Sequence, residues 1–534
     1  MKTREAYGRP TIRSLPKAMK RAIAAYDRGQ LRKADRLAHA ILRVKGDYFD
    51  ALYLIALVDT RKRRFGEAVA SYDRALAVRP DYAEALYNRG NTLHELKRFD
   101  EALLSYDRAL AVRPDYAEAL SNRGNTLHEL ERFDEALASY DRALAVRLDH
   151  AEALYNRGNT LQELKRFDEA LLNYDRALAV RPDYAEALSS RGNALLVLKR
   201  FDEALASYDR SIAIKSDDAT GYTNRAMGRL LLGRYKEGWE DYEWRWQATD
   251  FLSKRPNINV PIWQNEDLSG RHLLVFGEQG LGDVIQYARY LFFLAQHKCK
   301  ISFLVSDKLV RLLRSSISEV EIVSTLDGVQ AIDFQVPLMS LPHRFGTELS
   351  SIPNKVPYLR AEAELEARWR ARIGERGFKI GIAWQGKPGI RIDRGRSIPL
   401  ERYVPLSRLT GVRLISLQKH FGVDQLSRLP CGVGIETFGD DFDSGRDAFV
   451  DTAAMMNNLD LIITSDTSIA HLAGALARPT WVALKQVPEW RWMLFREDCP
   501  WYPTLRLFRQ LEPDDWLSVF SKIENELRTM LSPA

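Results

Sequence analysis

Cysteine is scarce in this chain. Cys299, Cys431 and Cys499 are the only three in 534 residues, far apart and without CxxC or Cys/His ligand spacing. A disulfide framework and a structural zinc site are therefore not expected, and a reducing compartment fits. Long apolar runs are also missing: 51–58, the longest near the front, is far short of the ~18–20 residues of a membrane span. The first 27 residues are dotted with Lys and Arg and lack the apolar stretch of a secretory signal. A cytoplasmic protein without a transmembrane segment is expected. Charge of one sign is not in excess either. Lys plus Arg number 78 against 72 Asp plus Glu, a net +6, and opposite charges alternate along the chain. Neither nucleic acid nor anionic lipid is implied as a partner. What the chain does have is 46% hydrophobic and 28% charged residues, an ordinary globular balance that excludes disorder over most of the length. Its size suggests roughly three to four domains.

The first half repeats itself. Residues 65–98 have near-copies at 99–132, 133–166 and 167–200, each 34 residues long, with a drifting copy at 201–234 and a worn one at 31–64. The period and pattern resemble the tetratricopeptide repeat. Gly90, Ala102, Tyr106, Ala109 and Pro114 fill its positions for small residues, an aromatic and a terminal Pro. The next copy has Gly124, Ala136, Tyr140 and Ala143, with Leu148 in place of the Pro. Where usual units carry Leu before the Gly, this chain has Arg89, Arg123, Arg157, Arg191 and Arg225, a departure expected to matter for surface chemistry. Each helix pair leaves an apolar face that the next pair buries, so an α-solenoid is predicted.

Asparagines recur within the array. Asn88, Asn122, Asn156 and Asn224 occupy one repeat position, with Ser190 interrupting, and Asn91, Asn125, Asn159 and Asn193 stand three residues later on the same helical face. A stacked column of amides can hold an extended peptide backbone; equally, recent duplication would copy the same Asn into each unit. After residue 234 the periodicity stops. Trp239, Trp244, Trp246 and Trp263 then suit a capping helix docked on the next domain, with a stacked ligand platform as the alternative.

The second half alternates strand and helix signals. Strands are expected at 272–276, 300–305, 378–384, 413–417, 459–464 and 480–484, with helices between, among them 284–296 and 309–314, and 361–373 as a helix or linker. Two successive βα series suggest two doubly wound domains facing across a cleft, with ligand beyond the carboxyl ends of the strands. Three segments lie there. GEQGLGD (277–283) includes Gly280, Gly282 and Asp283; it is neither a dinucleotide fingerprint nor a phosphate-binding P-loop, which disfavours a nicotinamide or flavin enzyme. Asp283 is either a general base for a hydroxyl or a helix cap. TSDTSIAHLAGAL runs from a strand straight into a helix carrying His471, a ready anion site or simply a capped helix. WQGKPGIRIDRGRS supplies Lys387, Arg391, Arg394 and Arg396 for a diphosphate, or forms a solvated basic loop. Gln418 and Lys419 end a further strand toward the same cleft. Asp441-Phe442-Asp443 reads as a solvated turn rather than a metal site.

Over 261–511 these motifs, in order, resemble glycosyltransferase family 9, the ADP-heptose:lipopolysaccharide heptosyltransferases, in a tetratricopeptide-fused branch. The resemblance implies a GT-B fold of two Rossmann-like domains and an inverting transfer from a nucleotide sugar that needs no metal or cofactor. It makes Asp283 the base and maps the donor diphosphate onto Asp466, Thr467, Ser468 and His471, with Ser468 replacing the usual Gly. Arg396 falls where heptosyltransferases carry a phosphate-binding Lys. Gln418 or Lys419 falls near the family's ribose-contacting acid, which this chain lacks. The asparagine column resembles the ladder of the O-GlcNAc transferases, implying a protein acceptor or partner on the repeats. The layout expected is a helical lead-in (1–30), a repeat solenoid with capping helix (31–250), two Rossmann-like domains (258–360 and 375–511) and a C-terminal helix (512–534). A non-catalytic repeat scaffold with a degenerate transferase domain is the alternative.

Overall fold

A computed structural model describes residues 11–248, 251, 253–389, 395–430, 432–439 and 441–532. The chain divides into two compact units, Met1–Lys215 and Ser216–Ala534.

Unit one is helical: α1 (Leu15–Asp27), α2 (Leu31–Leu42), α3 (Phe49–Arg61), α4 (Phe65–Val78), α5 (Ala83–Glu95), α6 (Phe99–Val112), α7 (Ala117–Glu129), α8 (Phe133–Val146), α9 (Ala151–Glu163), α10 (Phe167–Val180), α11 (Ala185–Val197) and α12 (Phe201–Ile214). The repeat sequence explains the pairing. A Cβ on Gly90 of α5 would lie 2.6 Å from the Tyr106 ring of α6, and the same clash recurs for Gly124 with Tyr140, Gly158 with Tyr174 and Gly192 with Tyr208. Only glycine lets the ring lie against the helix backbone, and these tyrosines are almost fully buried. Between the helices of each pair one residue adopts a left-handed conformation: Arg63, Lys97, Glu131, Lys165 and Lys199. Gly29 occupies that turn 34 residues earlier, with φ 70°. The expected helical lead-in 1–30 holds α1, which pairs with α2 around the Gly29 turn, with Ala22 and Ala38 standing where later pairs have Gly and Tyr.

The Arg before each glycine is not merely surface chemistry. Arg89 is mostly buried; its guanidinium donates to Asp73 of α4 at 2.6 Å and to Ser105 of α6 at 2.7 Å, tying three consecutive helices. Arg123 with Asp107 and Ser139, and Arg191 with Asp175 and Ser207, repeat it.

Unit two opens with another helix pair, α13 (Ala219–Leu231) and α14 (Tyr235–Tyr242), so the last repeat helices group with the α/β part rather than ending a domain at 250. Trp239 of α14 packs edge-on against Trp490 and Tyr287 and donates its indole N–H to the Thr347 carbonyl. Trp246 packs on Phe276, Trp244 stacks on Tyr222, and Trp263 lies against Phe345, so these tryptophans are packing residues. Arg245 and Glu278 form a fully buried bidentate pair, with Ser340 as a further acceptor of the guanidinium.

Two all-parallel sheets come next in the chain. The first contains β1 (His272–Phe276), β2 (Lys300–Leu304), β3 (Glu321–Val323) and β4 (Phe334–Pro337) in the order β3-β2-β1-β4. The second contains β5 (Phe378–Ala383), β6 (Val412–Ser416), β7 (Ile435–Glu436), β8 (Leu461–Ser465), β9 (Thr480–Leu484) and β10 (Leu505–Arg509) in the order β10-β9-β8-β5-β6-β7. The principal helices beside them are α15 (Leu281–Tyr287), α16 (Asp307–Arg314), α17 (Ala363–Ile373), α18 (Val450–Met456), α19 (Ser468–Ala475) and α20 (Trp516–Leu531). β1, β8 and β9 are buried along their whole length, as strands covered on both faces must be. The helix expected at 284–296 is shorter, ending at Tyr287 and continuing as brief turns. Strands β3, β4, β7 and β10 had no sequence expectation. In the second sheet the strand order reverses between β5 and β8, the place where open parallel sheets bind ligands.

Candidate functional site

Three loops leave the carboxyl ends of β1, β5 and β8 and meet, together with the segment after β6, in a cleft of about 670 Å³. Its lining includes Gly280, Gly282, Asp283, Arg396, Gln418, Lys419, Asp466, Thr467, Ser468 and His471, together with Lys387. Eleven of the cleft residues singled out in the sequence are thus brought together. Arg391 and Arg394 lie outside the described residues.

The first and third loops touch directly. A Cβ on Gly282 would lie 3.1 Å from the His471 ring and 3.2 Å from the Ser468 backbone, so α15 and α19 pack start against start. The first amides of a helix lack intrahelical partners, and the positive end of α19 faces the cleft. Asp283 is the helix cap, one of its two expected roles, and also lines the cleft. One carboxylate oxygen accepts the Gly280 N–H at 2.8 Å and caps α15; the other receives Arg491 at 2.5 Å.

Electrostatics differ among these groups. Burial pushes the Asp466 carboxyl up, against the opposing charge of Arg396. Burial, with the nearby Arg491, Arg289 and Arg396 charges, holds His471 well below the usual imidazole range, so it is neutral. Its ring stacks on Trp492 at 5.3 Å and its Nδ1 lies 3.2 Å from the Tyr502 hydroxyl. As a neutral ring it can hydrogen-bond an anion but adds no charge.

Two expectations are corrected. The Gln418 amide accepts the N–H groups of Trp384 and Gln385 and donates to the carbonyls of Gln385 and Phe421. It clamps the β5 and β6 loops together, and its hydrogen-bonding capacity toward a ribose is taken. Lys419 donates to the Phe442 carbonyl and sits over that ring, so its ammonium is tethered rather than extended. Asp441-Phe442-Asp443 is a turn as expected, but only partly solvated: Asp441 is exposed and pairs with Arg372, while Phe442 is buried and Asp443 accepts the Asp451 N–H and the Thr452 hydroxyl at the start of α18.

Sequence reasoning missed Glu489 and Arg491, which also line the cleft. Arg491 donates to Asp283, Glu489 and Gln286. Burial raises the Glu489 carboxyl to about 7, offset in part by Arg491 and reinforced by Asp466 and Asp283. Their signal was position: they stand beyond the carboxyl end of β9, as the other loops stand beyond their strands.

In unit one the asparagines of the column are half-buried, and most are engaged. Tyr106, Tyr140, Tyr174 and Tyr208 donate their hydroxyls to Asn91, Asn125, Asn159 and Asn193 at 2.7–2.9 Å. Asn88 donates to Tyr53, and Asn122 to Tyr87 and Asn91. The column is thus part of the repeat packing, with the amide oxygens of Asn91, Asn125, Asn159 and Asn193 occupied by tyrosines. Asn91, Asn122 and Asn125 nevertheless line a hollow of about 380 Å³ with Thr60 and His94. Asn156 sits half-buried on α9, and Asn224 lies on α13 in unit two.

The fold and these surfaces define a class: a helical repeat scaffold, suited to protein interaction, joined to α/β structure with two parallel sheets. Family models described as tetratricopeptide repeat match 115–183 and 155–219, and one described as TPR repeat matches 60–97 and 90–131, so this stretch consists of tetratricopeptide repeats. Among curated proteins, Protein FlbA of Caulobacter vibrioides is 26% identical over 317 residues, covering 54% of this chain and 52% of that protein. The chain thus matches about half the length of that relative. Among solved structures, a tetratricopeptide repeat protein from Parabacteroides merdae is similar at 20% identity, over 43% of this chain and 91% of that one, with a TM-score of 0.38. YrrB, titled a TPR protein with an unusual peptide-binding site, is 23% identical over 34% of this chain and 95% of its own, with a TM-score of 0.30. No described helix is long and apolar enough to cross a membrane.

Proposed function

We propose that the α/β part is an inverting glycosyltransferase of GT-B type, similar to glycosyltransferase family 9, and that the repeats bind a protein acceptor or partner. One observation carries the reading: eleven residues chosen from four separated segments line one cleft at the strand-order reversal. The Asp283 carboxylate would take the proton of an acceptor hydroxyl as that oxygen bonds to the anomeric carbon. The bond from that carbon to the diphosphate would break, its electron pair leaving on the nucleoside diphosphate. The amides at the start of α19 and the charges of Arg396 and Lys387 suit that leaving group. His471 would contribute a hydrogen bond, and Gln418 would act only by holding the loops.

The test is incubation with UDP-, ADP- and GDP-linked sugars while nucleoside diphosphate release is monitored. Release that requires Asp283 supports the reading; binding without release favours the non-catalytic scaffold, and no nucleotide binding removes the transferase.

A further inference from the structure

Arg491 is built to be immobile. It is 6% exposed, its guanidinium lies over Trp490 at 4.3 Å and near Tyr287 at 5.5 Å, and all three of its nitrogens are engaged. Nε donates to Gln286 at 2.6 Å, one terminal nitrogen to Glu489 and the other to Asp283 at 2.5 Å. Gln286 is three residues beyond Asp283 on α15, so Arg491 grips that helix at two points of one face. Its own backbone N–H donates to the second Glu489 oxygen at 2.9 Å, which locks the two together after β9. One buried cation therefore serves two carboxylates from different elements.

We propose that Arg491 is the positioning residue of Asp283, and that Glu489 sets through its charge how strongly Arg491 holds that carboxylate. The inference rests on the glycosyl-transfer reading. With Glu489 neutral, Asp283 is the sole anionic partner of Arg491 and is held tightly. With Glu489 ionised, the guanidinium is shared between two carboxylates and its hold on Asp283 loosens. Glu489 faces Arg491, Asp283 and Asp466, with Tyr287 of α15 and Tyr235 of α14 also within its field. Its carboxyl exchanges its proton near neutrality because burial opposes the charged form. The chain thereby places its base under the control of a second acid.

The decisive experiment is the pH profile of nucleoside diphosphate release from the same UDP-, ADP- and GDP-linked sugars by the full chain. Glu489→Gln is expected to lower kcat about tenfold at pH 8, leave the donor KM within about twofold, and abolish the rise of kcat between roughly pH 6 and 8. Arg491→Lys, which cannot bridge both carboxylates, is expected to lower kcat about 100-fold with little change in KM. A Glu489→Gln profile that superimposes on the unaltered one overturns the proposal. Absence of release from every donor by the unaltered protein overturns the glycosyl-transfer reading instead. The charge coupling is then decided by stability. The loss of Tm on Asp283→Asn should be larger at pH 6 than at pH 8, with the difference vanishing in a Glu489→Gln background; equal losses at both pH values refute it.

Discussion

The repeats and the α/β part both rely on arginine, in opposite ways. In the repeats one Arg per 34 residues makes the same bond each time, to an Asp 16 residues earlier, as Arg89 does with Asp73 and Arg123 with Asp107. These acceptors are about half exposed. In the α/β part three arginines, Arg245, Arg289 and Arg491, are buried, each with its own set of partners. Arg491 reaches Asp283 across 208 positions, Arg289 reaches the Trp501 carbonyl across 212, and Arg245 is sealed against Glu278. Periodic polar contacts are redundant, so losing one leaves the others. A single buried contact has no substitute, and its loss strands its partner.

That contrast can be broken at several points. The largest effect expected is on turnover: Asp283→Asn should reduce nucleoside diphosphate release by about 10²–10⁴-fold while donor affinity measured by calorimetry is kept. Next, Arg245→Ala should cost about 3–5 kcal/mol in denaturant unfolding, because Glu278 is left charged and buried. Gly124→Ala drives a methyl into the Tyr140 ring and should cost about 1–3 kcal/mol, seen as a drop in helical signal confined to the repeats. His471 is held neutral in the fold but protonates in the unfolded chain, so its contribution is full above about pH 6.5 and declines as pH falls below it. His471→Phe should remove up to ~1.4 kcal/mol per pH unit of that decline in Tm profiles between roughly pH 6.5 and 5. The smallest effect is expected from Asp107→Asn, about 0.2–1 kcal/mol, since Arg123 keeps Ser139 and its pair is partly solvated. A cost for Asp107→Asn matching that for Arg245→Ala would erase the distinction.

Legibility divided along the same line. The repeats were readable because one glycine, one tyrosine and one turn recur at fixed spacing. The first pair, α1 and α2, was missed, because Gly29 marks its turn without the Gly and Tyr of the later pairs. The asparagine column was readable as a pattern, but its hydrogen bonds to Tyr106, Tyr140, Tyr174 and Tyr208 join residues 15 apart on packed helices. The cleft residues were readable because each stands just beyond a buried strand. Gln418 misled, since a polar side chain at a strand end looks the same whether it faces ligand or clamps the adjoining loop.

What the amino-acid order alone determined is local: a 34-residue helical period, apolar strands, and glycine-rich strand ends that bring backbone into the open. What only the tertiary structure decided is which of those ends share a cavity and which polar groups in it already have partners. The reason is that periodicity and local propensity act over a few turns or residues. Burial, charge sharing and hydrogen-bond saturation depend on neighbours far apart in the chain, as Arg491 between Asp283 and Glu489 shows.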